Sequence, residues 1–148
     1  MHLDCYQYLA KNDYYDYEFV SDGPKGKIRK AVRFTKVRDG NPGFYNLGFG
    51  DIDEISDTIN DQVVTDNGYR DKVLATVALT VMDFTNIHGS HYIIAQGSSP
   101  SRTRLYQIGI SRLWNEISAD FDVFGFADNH WHAFQHNVNY EAFLVKRK

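Results

Sequence analysis

Residues 91–121, HYIIAQGSSPSRTRLYQIGISRLWNEISADF, decide the fold of this chain. They predict a central strand over 91–96, a small polar loop and an amphipathic helix over 99–119. Ser99 suits the N-cap of that helix, and Pro100 suits its first position. One stripe recurs at helical spacing and predicts the face that packs on a sheet: Arg102, Tyr106, Ile110, Leu113, Trp114 and Ile117.

The start of this helix carries the strongest candidate for a binding site. Helix N-termini present unpaired N–H groups and the positive end of the helix dipole, so they bind anions. Two arginines and several hydroxyl groups stand beside this one. We therefore predict a cradle for a phosphate or carboxylate group, and its candidate ligand-binding residues are Ser98, Ser99, Ser101, Arg102 and Arg104.

The two arginines also have a purely structural interpretation of equal weight. Arg102 would pair with a carboxylate, and Arg104, which lies off the stripe, would be a solvated surface charge. Side chains in a helix lean toward its N-terminus, so Arg102 should reach over Gly97 and Ser98. We expect its guanidinium to be mostly buried and bound to a carboxylate, to backbone carbonyls or to an anion.

Length and composition limit the class of protein. A chain of 148 residues predicts a single domain, 1–148, with a real core. The net charge of −3 argues against a non-specific nucleic-acid coat but permits a local basic patch. Cys5 is the only cysteine and no apolar run is long enough to span a membrane. We expect a cytoplasmic protein that contacts no membrane.

The periodicity of the other segments predicts an α/β (α+β) fold. Alternating residues predict an antiparallel three-strand meander over 15–20, 27–37 and 44–49. A polar loop with at most a short helix should follow over 50–68. Further elements are predicted as a helix over 69–86, a strand over 121–126, a strand over 130–134, a strand or short helix over 140–145, and a frayed tail over 146–148.

This order is a meander followed by helix, strand, helix and strand in a mixed sheet. A strand–helix–strand return is normally parallel and right-handed. The same order opens ribonuclease-H-like folds, a likeness of fold that implies no function. The predicted core is Val32, Phe34, Leu47, Val73, Val77, Val81, Ile93, Ile94, Ile110, Leu113, Trp114, Ile117, Val123 and Phe124.

Three stretches resemble a family of small bacterial proteins described as a domain of unknown function. They are Tyr45–Asp51 (YNLGFGD), Lys72–Val77 (KVLATV), and Gly97–Ser99 with Arg102–Tyr106 (RTRLY). The resemblance spans most of the chain and implies a bacterial cytoplasmic protein. It implies no activity.

Two charge clusters follow each other along the chain. Seven cations could join Tyr15 and Tyr17 in a nucleic-acid surface, but a solvated or edge strand is favoured because alternation splits them between faces: Lys25, Lys27, Arg29, Lys30, Arg33, Lys36 and Arg38. In the acidic cluster Asp51 and Asp53 could hold a divalent cation, but a solvated loop is favoured for all its members: Asp51, Asp53, Glu54, Asp57, Asp61, Asp66 and Asp71.

The C-terminal histidines resemble a metal-ligand set only in part. His130 and His132 should share a strand face, and His136 and Asp128 could join them around zinc or iron. A packing or surface role is favoured, because the sequence indicates no partner groups that would orient the imidazole rings toward a metal. The chain contains no nucleophile elbow, phosphate loop or dinucleotide fingerprint, so we predict no cofactor, name no metal or catalytic residue, and leave open whether it is an enzyme.

Three functions are compatible with these patterns. The first is a binding module for a phosphate-bearing ligand or nucleic acid at the helix start. The second is a protein-interaction component, such as one half of a toxin–antitoxin or regulatory pair, suggested by small size, the charge split and ten tyrosines. The third, a metal-dependent hydrolase or nuclease using Asp51, Asp53 and the histidines, ranks last.

Overall fold

The computed structural model describes residues 3–60 and 70–148, and these form a mixed α+β fold, as predicted. The strands of the described residues are β1 Tyr8–Lys11, β2 Asp16–Gly23, β3 Gly26–Arg38, β4 Phe44–Ile52, β5 Ile59–Asn60, β6 Tyr92–Ala95, β7 Phe121–Ala127, β8 His130–Ala133 and β9 Ala142–Arg147. The helices are α1 Arg70–His88, α2 Pro100–Arg112 and α3 Trp114–Asp120. None of these helices has both the length and the apolar character that crossing a membrane requires.

The strands of the described residues form one sheet in the order β1-β2-β3-β4-β6-β9-β7-β8, and β5 pairs with β4. The predicted meander is present as β2, β3 and β4. α1 then returns the chain so that β6 pairs in parallel with β4, which is the geometry expected of such a crossover. β7 does not lie beside β6, because β9 enters between them and is antiparallel to both.

The predicted fraying of the tail is wrong. Lys146 pairs with Tyr92 on one side and with Asp122 on the other, inside β9. The backbone N–H of Lys148 donates to the carbonyl of Asp120 at 2.9 Å. A strand between two neighbours has both rows of backbone groups hydrogen-bonded, so the chain stays ordered almost to its last residue.

Both long helices are found where periodicity places them. α1 occupies nearly all of the predicted 69–86, of which Tyr69 lies outside the described residues. The helix predicted over 99–119 is divided at Leu113, whose φ of −99° and ψ of 19° end α2 and begin α3. The polar segment predicted as a loop is partly strand, because Asp51 and Ile52 extend β4 and pair with β5.

The core lies on one face of the sheet, under the helices. Phe84 of α1 is fully buried, and its ring stacks on that of Phe34 with centroids 4.2 Å apart. Most predicted core residues belong to this buried cluster, while Leu113 and Trp114 are half-buried and pack against it. Ile94 and Phe124 were wrongly predicted: they alternate with Ile93 and Val123, so they lie on the opposite face and are only half-buried.

A buried ion pair joins β3 to β4 within this core. Lys30 is 0% exposed, and its Nζ lies 2.6 Å from Oδ1 of Asp51. The two residues are cross-strand partners. Removing one partner of a buried pair leaves an uncompensated charge, whereas replacing both by apolar side chains does not.

We therefore predict that Lys30→Met lowers the free energy of unfolding by about 3–5 kcal/mol. The double variant Lys30→Met/Asp51→Leu should recover most of that loss, because neither charge is then buried. Urea unfolding of the wild type, both single variants and the double variant measures the four values. A double variant as unstable as Lys30→Met would show that the buried charge of Asp51 without Lys30 is not the source of the loss.

Candidate functional site

A cleft of about 590 Å³ opens where β6 ends and α2 begins. One wall is the loop after β6 together with the first turn of α2, and the other is the segment 139–141 that leads into β9. The volume is within the usual range for small-molecule sites. Its position beyond the carboxyl end of a strand that pairs in parallel is where sheets with such strands commonly bind ligands.

The structure brings four of the five predicted residues to this cleft. Ser98, Ser99, Ser101 and Arg104 line it. Arg102 is not among the lining residues; it is half-buried, and its Nη1 atom is shielded from solvent. The burial of this atom accords with a mostly buried guanidinium, and the predicted reach of Arg102 over Gly97 and Ser98 stays a prediction.

The backbone at the start of α2 offers fewer donors than predicted. Ser99 is the N-cap, as expected, and its Oγ accepts from the N–H of Arg102 at 3.3 Å. Its carbonyl accepts from the N–H of Thr103 at 3.0 Å, and Pro100 has no N–H. Among the described residues this leaves the N–H of Ser101 as the first-turn donor without a partner. An anion here would be held mainly by side chains.

Hydrogen bonds of Thr103 and the close approach of Gly97 hold the loop after β6 against α2. Thr103 Oγ1 accepts from the N–H of Gly97 at 3.0 Å and donates to the carbonyl of Ser99 at 3.2 Å. A Cβ atom on Gly97 would lie 2.3 Å from Cβ of Arg102 and 2.4 Å from N of Thr103. Sequence reasoning missed Thr103, although a threonine in the first turn is a residue type that bonds locally to the backbone.

Side chains from α2 fix the opposite wall. Arg104 Nη1 donates to Oδ1 of Asn139 at 3.3 Å. Gln107 Nε2 donates to the carbonyl of Val138, and Gln107 Oε1 accepts from the N–H of Tyr140 at 3.4 Å. The sequence did not indicate Gln107 or Asn139, because 32 positions separate them and no local pattern links them.

Charge in the cleft is balanced. Among its described lining residues Arg104 is the cation and Glu141 is the anion, and both are exposed. The cleft is therefore polar and rich in hydroxyl and amide groups, with no strong excess of either charge. Such a lining suits a ligand that carries both anionic oxygens and hydrogen-bond donors.

Three cations of the basic strand β3 are already paired with carboxylates. Arg29 Nη2 lies 2.9 Å from Asp57, Arg33 Nε lies 2.7 Å from Asp16, and Lys36 Nζ lies 3.0 Å from Asp39. The hydrogen bond with Asp57 raises the pKa of Arg29, and the hydrogen bond with Asp39 raises the pKa of Lys36.

The tyrosines proposed as stacking platforms are also unavailable. Tyr17 is fully buried in the core, and Tyr15 packs against Phe84 and His88. The favoured interpretation, a solvated or edge strand, fits only the exposed cations such as Arg33 and Lys36, because β3 lies between β2 and β4 and Lys30 is buried.

The proposed metal ligands do not converge in the described part of the chain, where no three such side chains are grouped. Asp51 pairs with Lys30, and Asp53 Oδ1 accepts from the N–H groups of Ile55 and Ser56. Those backbone hydrogen bonds, that of Ser56 foremost, lower the pKa of Asp53. Asp61 and Asp66 of the acidic cluster lie outside the described residues.

The histidines are likewise dispersed. The rings of His130 and His132 are perpendicular, with centroids 6.3 Å apart, and His132 Nε2 is 3.0 Å from the carbonyl of Ala127. His136 packs instead edge-on against Trp114 and Phe134, whose rings stack on each other. β8 stands four strand spacings from β4, about 19 Å, so these rings do not meet the carboxylates of β4.

We predict that Gly97→Ala destabilises the protein by about 2–3 kcal/mol, since the added methyl group meets backbone rather than a movable side-chain end. Gly48→Ala is the matched control: its Cβ would have only an ordinary contact, 3.6 Å from the carbonyl of Arg33. Chemical denaturation measures both. Equal stabilities for the two variants would contradict the close packing of Gly97 on α2.

Comparison with known proteins yields one match. No curated protein and no solved structure matches this chain. The model of the family described as "Family of unknown function (DUF6934)" matches residues 2–148. The chain therefore belongs to the DUF6934 family.

Proposed function

We propose that the cleft at the start of α2 binds a phosphate-bearing ligand, and that a nucleotide fits it better than a long nucleic acid. The observation that carries this proposal is that three serines, Ser98, Ser99 and Ser101, and the cation Arg104 line one open cleft at the end of β6. Hydroxyl and guanidinium groups are strong donors to phosphate oxygens.

The proposed roles follow from the positions of the side chains. Ser98, Ser99 and Ser101 donate to phosphate oxygens once the ligand replaces the hydrogen bond between the Oγ atoms of Ser99 and Ser101, which are 3.1 Å apart. The positive end of the α2 dipole favours the negative charge. Arg104 supplies the cation, and its contact with Asn139 limits the directions in which the guanidinium points. Glu141 on the opposite wall can accept from the sugar hydroxyl groups or a base amino group of a nucleoside.

The charge distribution favours a small ligand over a polyanion. Several cations of β3 are already paired with carboxylates, and the chain carries a net charge of −3. A nucleic-acid surface needs many unpaired cations along the backbone of its ligand. We infer that binding of short RNA or DNA, where it occurs, is weak and involves few phosphates.

The test is calorimetric titration with inorganic phosphate, nucleoside mono-, di- and triphosphates, and short single-stranded RNA and DNA, at low and high salt. We expect a nucleotide to bind more tightly than inorganic phosphate. Arg104→Gln should weaken that binding about tenfold or more, through loss of a charge-assisted hydrogen bond. An Arg102→Ala/Arg104→Ala double variant should weaken it at least as much.

Arg112→Gln is the matched control. It removes an arginine from the other end of α2, where Nη1 of Arg112 pairs with Oδ1 of Asp71 at 2.8 Å. We expect the control to bind nucleotide like the wild type. Binding that is absent in the wild type, or that survives unchanged in the double variant, would contradict a phosphate site at this helix start.

A further inference from the structure

An apolar cavity of about 80 Å³ lies in the core, between the sheet and the helices. Residues of β4, β6, β7 and β9 form its floor, among them Leu47, Ile93 and Phe143. Residues of all three helices form its roof, among them Val77 and Ile110. None of its described lining residues belongs to the cleft at the start of α2, so the cavity is a separate space.

The lining of the cavity is hydrocarbon almost throughout. Among the described residues that contribute to it, Tyr106 is the one whose side chain carries a polar group. The backbone groups of the surrounding helices and strands are hydrogen-bonded within those elements. A buried water needs about two to four polar partners, so this cavity favours an apolar molecule over water.

Small residues create the space. Ala78 on α1 and Ala95 on β6 carry only a methyl group, and Gly109 on α2 carries no side chain. Gly109 also sets the distance between the helices, because a Cβ atom there would lie 2.9 Å from Cδ1 of Leu74 on α1. Both residues of this contact line the cavity. The helices are therefore held close together at one point while the space beside that point stays open.

A space of this kind is unfavourable for a protein that has no use for it. Native cores are close-packed, and lining atoms that face a gap lose their dispersion contacts. The volume is several times the roughly 10–15 Å³ that a single water requires. A larger side chain at any of the small positions would fill it. A well-formed apolar cavity that the sequence leaves open is the usual form of a site for an apolar ligand.

We propose that this cavity is a binding site for a small apolar molecule, a hydrocarbon of about the size of benzene or smaller. An engineered cavity of about 150 Å³, lined by leucine, isoleucine and phenylalanine, stays dry and binds benzene or xenon. The present cavity is about half as large and has the same kind of lining. Binding removes the apolar surface of the ligand from water and restores dispersion contacts to the lining.

The ligand enters between α1 and α2. Ala78 and Tyr106 belong to these two helices and are only half-buried, whereas most of the lining is buried. A methyl group on one side blocks little, so movement of the Tyr106 ring on the other side opens the path. Polar ligands are excluded, because their hydrogen-bonding groups would lose water without gaining a partner. A nucleotide therefore belongs to the cleft and not to this cavity.

The first test is methyl NMR of the full chain under increasing pressure of xenon, an apolar probe. We expect saturable shifts for methyl groups of the lining. The signals of Leu9 and Ile55, which are 61% and 99% exposed and lie outside the cavity, should not follow them. The reporting methyl groups are those of Leu74, Val77, Val81, Ile93 and Ile110.

The second test examines the chemical class of the ligand. Propane and ethanol have nearly the same size but differ in one hydroxyl group. We expect propane to displace xenon and to bind at least about tenfold more tightly than ethanol, because the hydroxyl group would be desolvated without a partner. Equal binding of the two would contradict a site for apolar molecules.

The third test fills the cavity from two different elements. Ala78→Leu and Ala95→Val add methyl groups to the lining, and each should weaken xenon binding about tenfold or more, because a close-packed site has no other room. Ala119→Leu is the matched control, since Ala119 is exposed on α3 and is not part of the lining. It should bind xenon like the wild type. Urea unfolding shows which variants are folded.

Two results would overturn the proposal. One is the absence of saturable shifts at the lining methyl groups of the wild type. The other is xenon binding that remains at the wild-type level in whichever of Ala78→Leu and Ala95→Val is folded. Arg104→Gln, which tests the phosphate site, should leave xenon binding unchanged, so the two proposals stand or fail separately.

Discussion

The insertion of β9 between β6 and β7 is the constraint on which the rest of the structure depends. Its backbone pairs with both neighbours, so it joins the strands that precede α2 to the hairpin that follows α3. Phe143 at its centre is fully buried under the helices. Arg147 at its end bonds to the carbonyl of Met82 at 3.5 Å and to Oγ1 of Thr85 at 3.3 Å, which attaches the strand to α1.

Local patterns in the sequence were sufficient for the helices and the meander. The N-cap of α2 depends on Ser99 and Pro100, two residues in direct sequence, and α1 depends on apolar residues repeated at helical spacing. These signals are short-range, so a single sequence contains them. One wall of the cleft could be predicted for the same reason, because its serines and Arg104 belong to one loop and one helical turn.

The other features of the fold and the cleft depend on contacts between residues far apart in the chain, so no local pattern predicts them. The second wall of the cleft comes from residues that precede β9, and their place follows only once β9 is known to enter between β6 and β7. Nothing local distinguishes the tail, which is charged, from a frayed end. Ile94 and Phe124 were assigned to the core because they are apolar, but the side of the sheet that the helices cover is a tertiary property.

On the face of the sheet opposite to the helices, the two halves differ in the polarity of their residues. On β2 and β3 the outward residues are charged and paired, as in the contact of Asp16 with Arg33 at 2.7 Å, and such a surface is stable in water. From β4 to β8 most of the outward residues are apolar, with Asn46, Asp122 and Lys146 as polar exceptions. The outer face of the sheet thus changes from a largely charged surface on β2 and β3 to a mainly apolar one from β4 onward, a division that only the strand order reveals.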